Sequence, residues 1–221
     1  MKLTIIAATG GVGHLILEQA AAAGYDIAAV ARHPERLGEG VHAFEVDFTN
    51  PDAEALRGAV QGADAVLSAL GPARAADAGI AWRGTQAIVA AMHSAGVRRI
   101  IAISAAPVST TPSPGRPHPP KHDPGEGFFT RQVAMPIIKT LLRKVYLDLA
   151  LMEDILRASD LDWTTVRPPR LTNKAYTGVY RTAYGQNLKR GLTISRADLA
   201  DAMLRAVPDV RSFKTTLGVA K

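Results

Sequence analysis

The sequence predicts an α/β fold, a doubly wound parallel sheet with helices on both faces. Three observations carry that expectation. Short apolar runs of strand length alternate with segments of helical periodicity. The first run passes straight into a glycine cluster that opens the first helix. Several later runs end in glycine, proline or serine, residues that punctuate strand–helix junctions.

Composition sets the outer bounds. The chain has 221 residues, 47% of them hydrophobic and 21% charged, which suits a single domain with a substantial core. Disordered, collagen-like and disulfide-stapled classes are excluded. There is no cysteine, so disulfides, thiolate metal sites and a cysteine nucleophile are excluded too. No apolar run reaches the ~18–20 residues of a membrane span. The apolar start is too short for a signal-peptide core, so a cytoplasmic protein with no membrane partner is expected. The net charge of +6 fits binding of small anions. No basic run interleaved with aromatics appears, and no nucleic-acid partner is expected.

About seven strands follow from the pattern. Residues 3–8 form a continuous apolar run, as in a strand buried on both faces. Residues 12–23 read as a helix, with Leu15, Ile16, Gln19, Ala20 and Ala23 along one face and Gly24 as its stop. Further strands are expected at 25–31, 41–46 and 63–70, with a helix between the last two. Asn50 is that helix's candidate N-cap, with Pro51 in its first turn. A helix over 80–95 with Gly96 as its stop, a strand over 99–104 and a long helix over 141–159 come next. A strand over 162–166, a helix over 196–207 capped by Ser195 and a strand over 213–219 complete the set. Alternation of this kind implies right-handed crossovers and a Rossmann-like domain.

Residues 107–127 break the rhythm. Seven of the fourteen prolines lie between Pro107 and Pro124, which disfavours helix and central strand. The segment follows a strand's C-terminal end, where ligand loops sit in such folds. It is read as a long mobile loop within the domain, either a lid or a surface insertion.

The most specific motif is Ala7-Ala8-Thr9-Gly10-Gly11-Val12-Gly13. A tight strand-to-helix turn lets glycine backbones approach a pyrophosphate, which the exposed amides and the helix N-terminus then stabilise. Thr9, Gly10, Gly11, Val12 and Gly13 are therefore the expected cofactor cradle. Arg32 stands 19 residues beyond Gly13, where an NAD site would carry a carboxylate. Its guanidinium suits a 2′-phosphate, with Arg36 assisting, so NADP(H) is preferred over NAD(H). The alternative is two solvated arginines. Asp47, with Phe48 beside it, is placed for the adenine, although Asp47 is equally placed to cap the Asn50 turn. Ala69, Leu70 and Gly71 are placed at the riboses.

These motifs, together with 96–104, 156–171 and 194–199, make the chain resemble the atypical short-chain dehydrogenase/reductases of the NAD(P)H-binding type. Within them it is similar to the flavin reductase/biliverdin-IXβ reductase branch, with NmrA-like proteins as more distant relatives. The resemblance implies that Ser104 lies beside the nicotinamide, able to hold a carbonyl oxygen or the ring carboxamide. It implies that Pro168 and Pro169 line the ring's other side. Arg170 stands where that branch commonly has a histidine, and it is the candidate substrate-binding residue for a flavin phosphate or a propionate.

Typical members protonate substrate with a tyrosine and a lysine at Y-x-x-x-K. Counting back from 156–159 puts those places on Val145 and Leu149, so the motif is absent. Tyr146 is the one tyrosine on that helix, a weak proton-donor candidate beside a packing role. No metal site is expected: His118 and His122 lie in the proline-rich loop without a carboxylate pair. His14 faces either the pyrophosphate or solvent.

The resulting expectation is an NADPH-dependent reductase that passes hydride to a conjugated acceptor such as a flavin, a quinone or a tetrapyrrole-like molecule. The acceptor is a small molecule, anionic if the arginines serve it, and the protein is a monomer or homodimer. An NADP(H)-binding redox sensor without turnover, and an isomerase using the cofactor transiently, are the alternatives.

Overall fold

The computed structural model describes residues 1–38, 40–72, 74–123 and 142–221. In chain order the strands are β1 Lys2–Ile6, β2 Asp26–Ala31, β3 His42–Glu45, β4 Ala65–Ser68, β5 Arg99–Ile103, β6 Asp162–Arg167, β7 Arg170–Thr172, β8 Arg181–Tyr184, β9 Thr193–Ser195 and β10 Thr215–Ala220. The helices are α1 Gly13–Ala22, α2 Ala53–Val60, α3 Ile80–Ala95, α4 Arg143–Ala158 and α5 Arg196–Ala206. Eight strands make one sheet in the order β3-β2-β1-β4-β5-β6-β10-β8. It is parallel except at β8, an antiparallel edge strand against β10. β7 and β9 pair as a separate ribbon. The order reverses between β1 and β4, and the crevice at the strands' C-terminal ends there is where such sheets bind ligands.

Successive strand residues point to opposite faces, so each apolar run feeds two cores. Ile6, Val30, Val66 and Ile100 pack with Leu56, Ile88, Met92, Met152 and Leu156, under α2, α3 and α4. Leu3, Ile5, Leu67, Ile101 and Val166 pack with Ile16, Leu17, Leu199 and Met203, under α1 and α5. Among the described residues no helix is long and apolar enough to cross a membrane.

The local signals hold where they rest on short-range chemistry. α3 spans the expected residues and stops at Gly96, whose φ is +70°. Gly24 ends α1 region with φ +76°, and the Ser195 hydroxyl accepts from the Asp198 amide at 3.0 Å. Three expectations are corrected. β1 ends at Ile6 rather than at residue 8, because Ala7 turns the chain with a φ of +59°. The cap of α2 is Asp52, not Asn50: its carboxylate accepts from the amides of Glu54 (2.8 Å) and Ala55 (3.1 Å), while the Asn50 amide closes the preceding turn on the Asp47 carbonyl. β7, β8 and β9 were not anticipated, since each has only three or four residues and no strong apolar alternation.

The proline-rich segment opens in a 3₁₀ helix, Ala106–Thr110, contrary to the expectation that helix is disfavoured there. Pro107 sits at its start, where a missing amide hydrogen costs nothing. The segment then lies against its neighbours. The Gly115 amide donates to Asp154 Oδ2 at 2.9 Å, and Asn187 Nδ2 reaches the Ala106 carbonyl and Asp123 Oδ2, both at 2.9 Å. The rest of that loop, 124–127, lies outside the described residues, as does the expected helix start at Leu141.

Candidate functional site

The turn between β1 and α1 is built around one close approach. A Cβ on Gly13 would stand 2.1 Å from the Ala7 carbonyl oxygen, so only glycine fits. That oxygen also accepts from the Gly10 amide at 2.9 Å, folding 7–13 into a tight crook. Ala7 takes the left-handed conformation that favours glycine, so the alanine here is held in a strained turn. Gly10 and Gly11 are exposed, and no side chain caps α1, whose preceding residue is Val12. The His14 amide is taken by the Gly10 carbonyl at 2.8 Å; the amides just before it and the positive end of the helix dipole face an incoming anion. This cradle fits a dinucleotide pyrophosphate.

A residue from far along the chain also reaches the crook. Arg196, the first residue of α5, puts its Nε 3.3 Å from where a Gly11 Cβ would be. Asn173 Oδ1 accepts from its guanidinium at 2.5 Å and holds it there. Sequence reasoning missed this cation, for nothing local to Arg196 marks it. His14 is exposed and pairs with Glu18 at 3.2 Å.

Arg32 follows β2 directly and is exposed, as is Arg36 at the end of a 3₁₀ turn. Asp47 accepts from the Thr49 amide at 3.0 Å, so it does close the turn before α2. That hydrogen bond, with a smaller contribution from the charge of Arg32, holds the Asp47 carboxyl below its usual range. Phe48 and Leu70 turn inward: both are buried, and both lie against Gly84 of α3. Ala69 and Gly71 are left at the rim of the crevice, half-buried.

Ser104, at the end of β5, is buried and donates its hydroxyl hydrogen to Glu153 Oε1 of α4 at 2.6 Å. Arg167, ending β6, donates to the same oxygen through Nε at 2.8 Å and to Oε2 through its second nitrogen. Arg157, one turn on from Glu153, also donates to Oε2. Glu153 is fully buried. Burial alone works to raise its pKa, but the hydrogen bonds and charge of Arg167, then Arg157 and the Ser104 hydroxyl, outweigh it and hold the carboxyl below its usual value. Arg116 adds a third guanidinium, depressed first by burial and then by Arg167 and Arg157. Three cations therefore face two carboxylates, Glu153 and Asp154, behind Ser104. The cluster was not anticipated. Its one trace in the sequence is a glutamate four residues after Leu149 and three before Leu156, inside the apolar stripe of α4.

The remaining candidates sort as follows. Pro168 is buried beside Ser104's loop, its carbonyl accepting from the Ala106 amide at 2.9 Å. Pro169 is half-buried, and Arg170 is exposed at the start of β7. Leu149, at the lysine place, is buried in the core and Val145 packs against it. Tyr146 is buried on α4, its phenol pushed up by burial, seven residues or about 10 Å along the helix from Glu153. The structure does not bring it to Ser104 by any hydrogen bond that joins the cluster. Among the described residues no three potential metal ligands come together. A groove of about 1170 Å³ runs along the outer sides of α1 and α5, with Gly11 and Arg196 at its margin. Ser104 and Glu153 do not line it; what it shares with the glycine crook is Gly11 and Arg196.

Solved structures share this fold. An oxidoreductase from Lactococcus lactis is 21% identical with a TM-score of 0.77, covering 100% of this chain and 91% of that one. A wide-type short-chain dehydrogenase/reductase from Veillonella parvula, in complex with NADP, is 20% identical with a TM-score of 0.74, covering 100% and 94%. A protein assigned as an NADH-flavin reductase from Streptococcus pneumoniae is 22% identical with a TM-score of 0.71, covering 100% and 99%. At these identities the likeness establishes a common Rossmann fold. The model of the NAD(P)H-binding family matches residues 7–209, which span the glycine crook, Ser104, Glu153 and Arg196 alike, and the chain belongs to that family.

Proposed function

We propose that the protein is an NADPH-dependent reductase that passes hydride to a conjugated acceptor, a flavin, quinone or tetrapyrrole-like molecule. The count back from 156–159 supports the choice of acceptor: it puts the tyrosine and lysine places on Val145 and Leu149, and Leu149 is buried in the core. Reduction of an isolated carbonyl leaves an alkoxide that needs an acid there. A conjugated acceptor spreads the added charge and takes its proton from water.

Bound NADPH supplies the hydride. The residues of this chain bind and orient it: the amides of 11–13 and Arg196 at the pyrophosphate, Arg32 with Arg36 at the 2′-phosphate, and Ser104 with Pro168 and Pro169 around the nicotinamide. Asp47, Ala69 and Gly71 border the adenosine and ribose, while Phe48 and Leu70 shape the floor beneath them. Catalysis is then largely positioning of acceptor over ring. The excess of guanidinium groups behind Ser104, with exposed Arg170, favours an anionic acceptor. The acceptor lies between Ser104, the turn at 168–170 and the described part of the proline-rich segment, 107–123.

The test is consumption of NADPH, followed by loss of reduced-nicotinamide absorbance, with a panel of flavins and quinones. Turnover is expected, fastest with an anionic member of the panel. Tight NADPH binding with no turnover by any acceptor would instead favour a redox sensor.

A further inference from the structure

We infer that Ser104 acts as a hydrogen-bond acceptor toward the nicotinamide carboxamide, a polarity imposed by Glu153, and gives no proton or hydrogen bond to the acceptor molecule. The inference rests on the NAD(P)H reading above and deepens it.

A serine hydroxyl has one hydrogen and two lone pairs. In this protein the hydrogen is directed at Glu153 Oε1, 2.6 Å away. Glu153 cannot release it to another partner by becoming protonated, because Arg167 and Arg157 hold the carboxylate ionised. Nor does the carboxylate have a spare arrangement: Oε1 accepts from Ser104 and Arg167, and Oε2 from Arg167 and Arg157. Turning the Ser104 hydrogen toward a ligand would leave one lone pair of a fully buried anion unpaired, which a neutral ligand oxygen in the crevice does not repay. What Ser104 can offer is its lone pairs, and these require an N–H donor. On the reading above Ser104 borders the nicotinamide, whose carboxamide NH₂ is the N–H donor that the bound cofactor would bring there. Glu153 is thus a positioning residue, acting through Ser104 and never touching the cofactor.

The test compares binding of NADP⁺ with binding of its 3-acetylpyridine analogue, in which a methyl replaces the carboxamide NH₂ and the carbonyl is kept. Dissociation constants are measured by calorimetry for the wild-type protein, for S104A and for S104C, the second a variant of similar size and poor acceptor strength. The wild type should bind NADP⁺ roughly five- to tenfold tighter than the analogue, the scale of one hydrogen bond. In S104A and S104C that ratio should fall to about one, through weaker NADP⁺ binding alone. S104A keeps the arginine bonds of Glu153, and S104C serves if S104A does not fold. Retention of the wild-type ratio in either folded variant overturns the inference. So does an unchanged ratio together with a raised KM for a carbonyl-bearing acceptor, which would make Ser104 a donor to substrate. If the wild type binds neither dinucleotide, the NAD(P)H reading falls and takes this inference with it. Binding of both without discrimination sinks this inference alone.

Discussion

The carbonyl oxygen of Ala7 lies 2.1 Å from where a Cβ on Gly13 would stand. Ala7 follows the first strand, which ends at Ile6, and Gly13 begins the first helix, so this contact sets how sharply the chain turns between them.

G13A must push that backbone apart. We expect a loss of roughly 3 kcal/mol, the upper end for overpacking, and a fall of NADPH affinity of tenfold or more. A7G should do the reverse for stability. It removes a left-handed alanine, worth roughly 1–2 kcal/mol, against the ~0.5–1 kcal/mol entropic cost of glycine. Thermal melting and NADPH titration of both variants check the pair.

On the proposed reading Arg32 takes the 2′-phosphate and Arg196 the pyrophosphate, so their variants should separate cleanly. R32E should weaken NADPH by roughly 10- to 100-fold and leave NADH nearly unchanged, since a charge-assisted bond contributes ~1.5–3 kcal/mol. R196Q should weaken both dinucleotides alike, by roughly tenfold. Titrations of the two variants with both cofactors decide it. Equal effects of R32E on NADPH and NADH would refute the 2′-phosphate assignment.

Asp148 of α4 holds the start of α3. Its carboxylate accepts from the amides of Gly79 (2.7 Å), Ala81 (3.2 Å) and Trp82 (2.9 Å), and it is buried. D148A leaves these donors without an acceptor and should cost about 2–3 kcal/mol. D148N keeps one acceptor oxygen and should cost less. Chemical denaturation gives both values, and NADPH affinity of the folded fraction should stay close to wild type.

Glu153 predicts the shape of acid denaturation. Its carboxyl in the folded protein titrates below its ordinary value of 4.5, so the unfolded chain binds the proton more readily. The stabilisation is complete above that ordinary value and is lost as pH falls through the folded one. Melting temperatures should therefore be level from pH 7 to about 5 and drop steeply below about 4.5. E153Q leaves Arg167 buried without its counter-charge and should lose about 3–5 kcal/mol at neutral pH. Its remaining acid dependence should be shallower.

The features legible in the sequence are those that neighbouring residues settle between them. The glycine crook, the Gly24 and Gly96 stops, the Ser195 cap and the two-faced burial of residues such as Ile5 and Ile6 depend on backbone freedom, capping and a period of two. The parallel sheet and the dinucleotide crevice follow from those. The short strands β7, β8 and β9 escaped because strands of three or four residues carry almost no period. Asn50 and Asp52 are both cap-forming residue types two positions apart, and only the actual first turn of α2 shows that Asp52 is the cap. The charged parts of the site come from long-range contacts. Ser104 meets Glu153 across 49 residues, and Asp148 reaches the Gly79 amide across 69. Arg196 arrives at Gly11 from the opposite end of the chain. Such contacts have no local cause: a buried charge takes whichever partner the strand order carries to it, and that order is a property of the whole sheet.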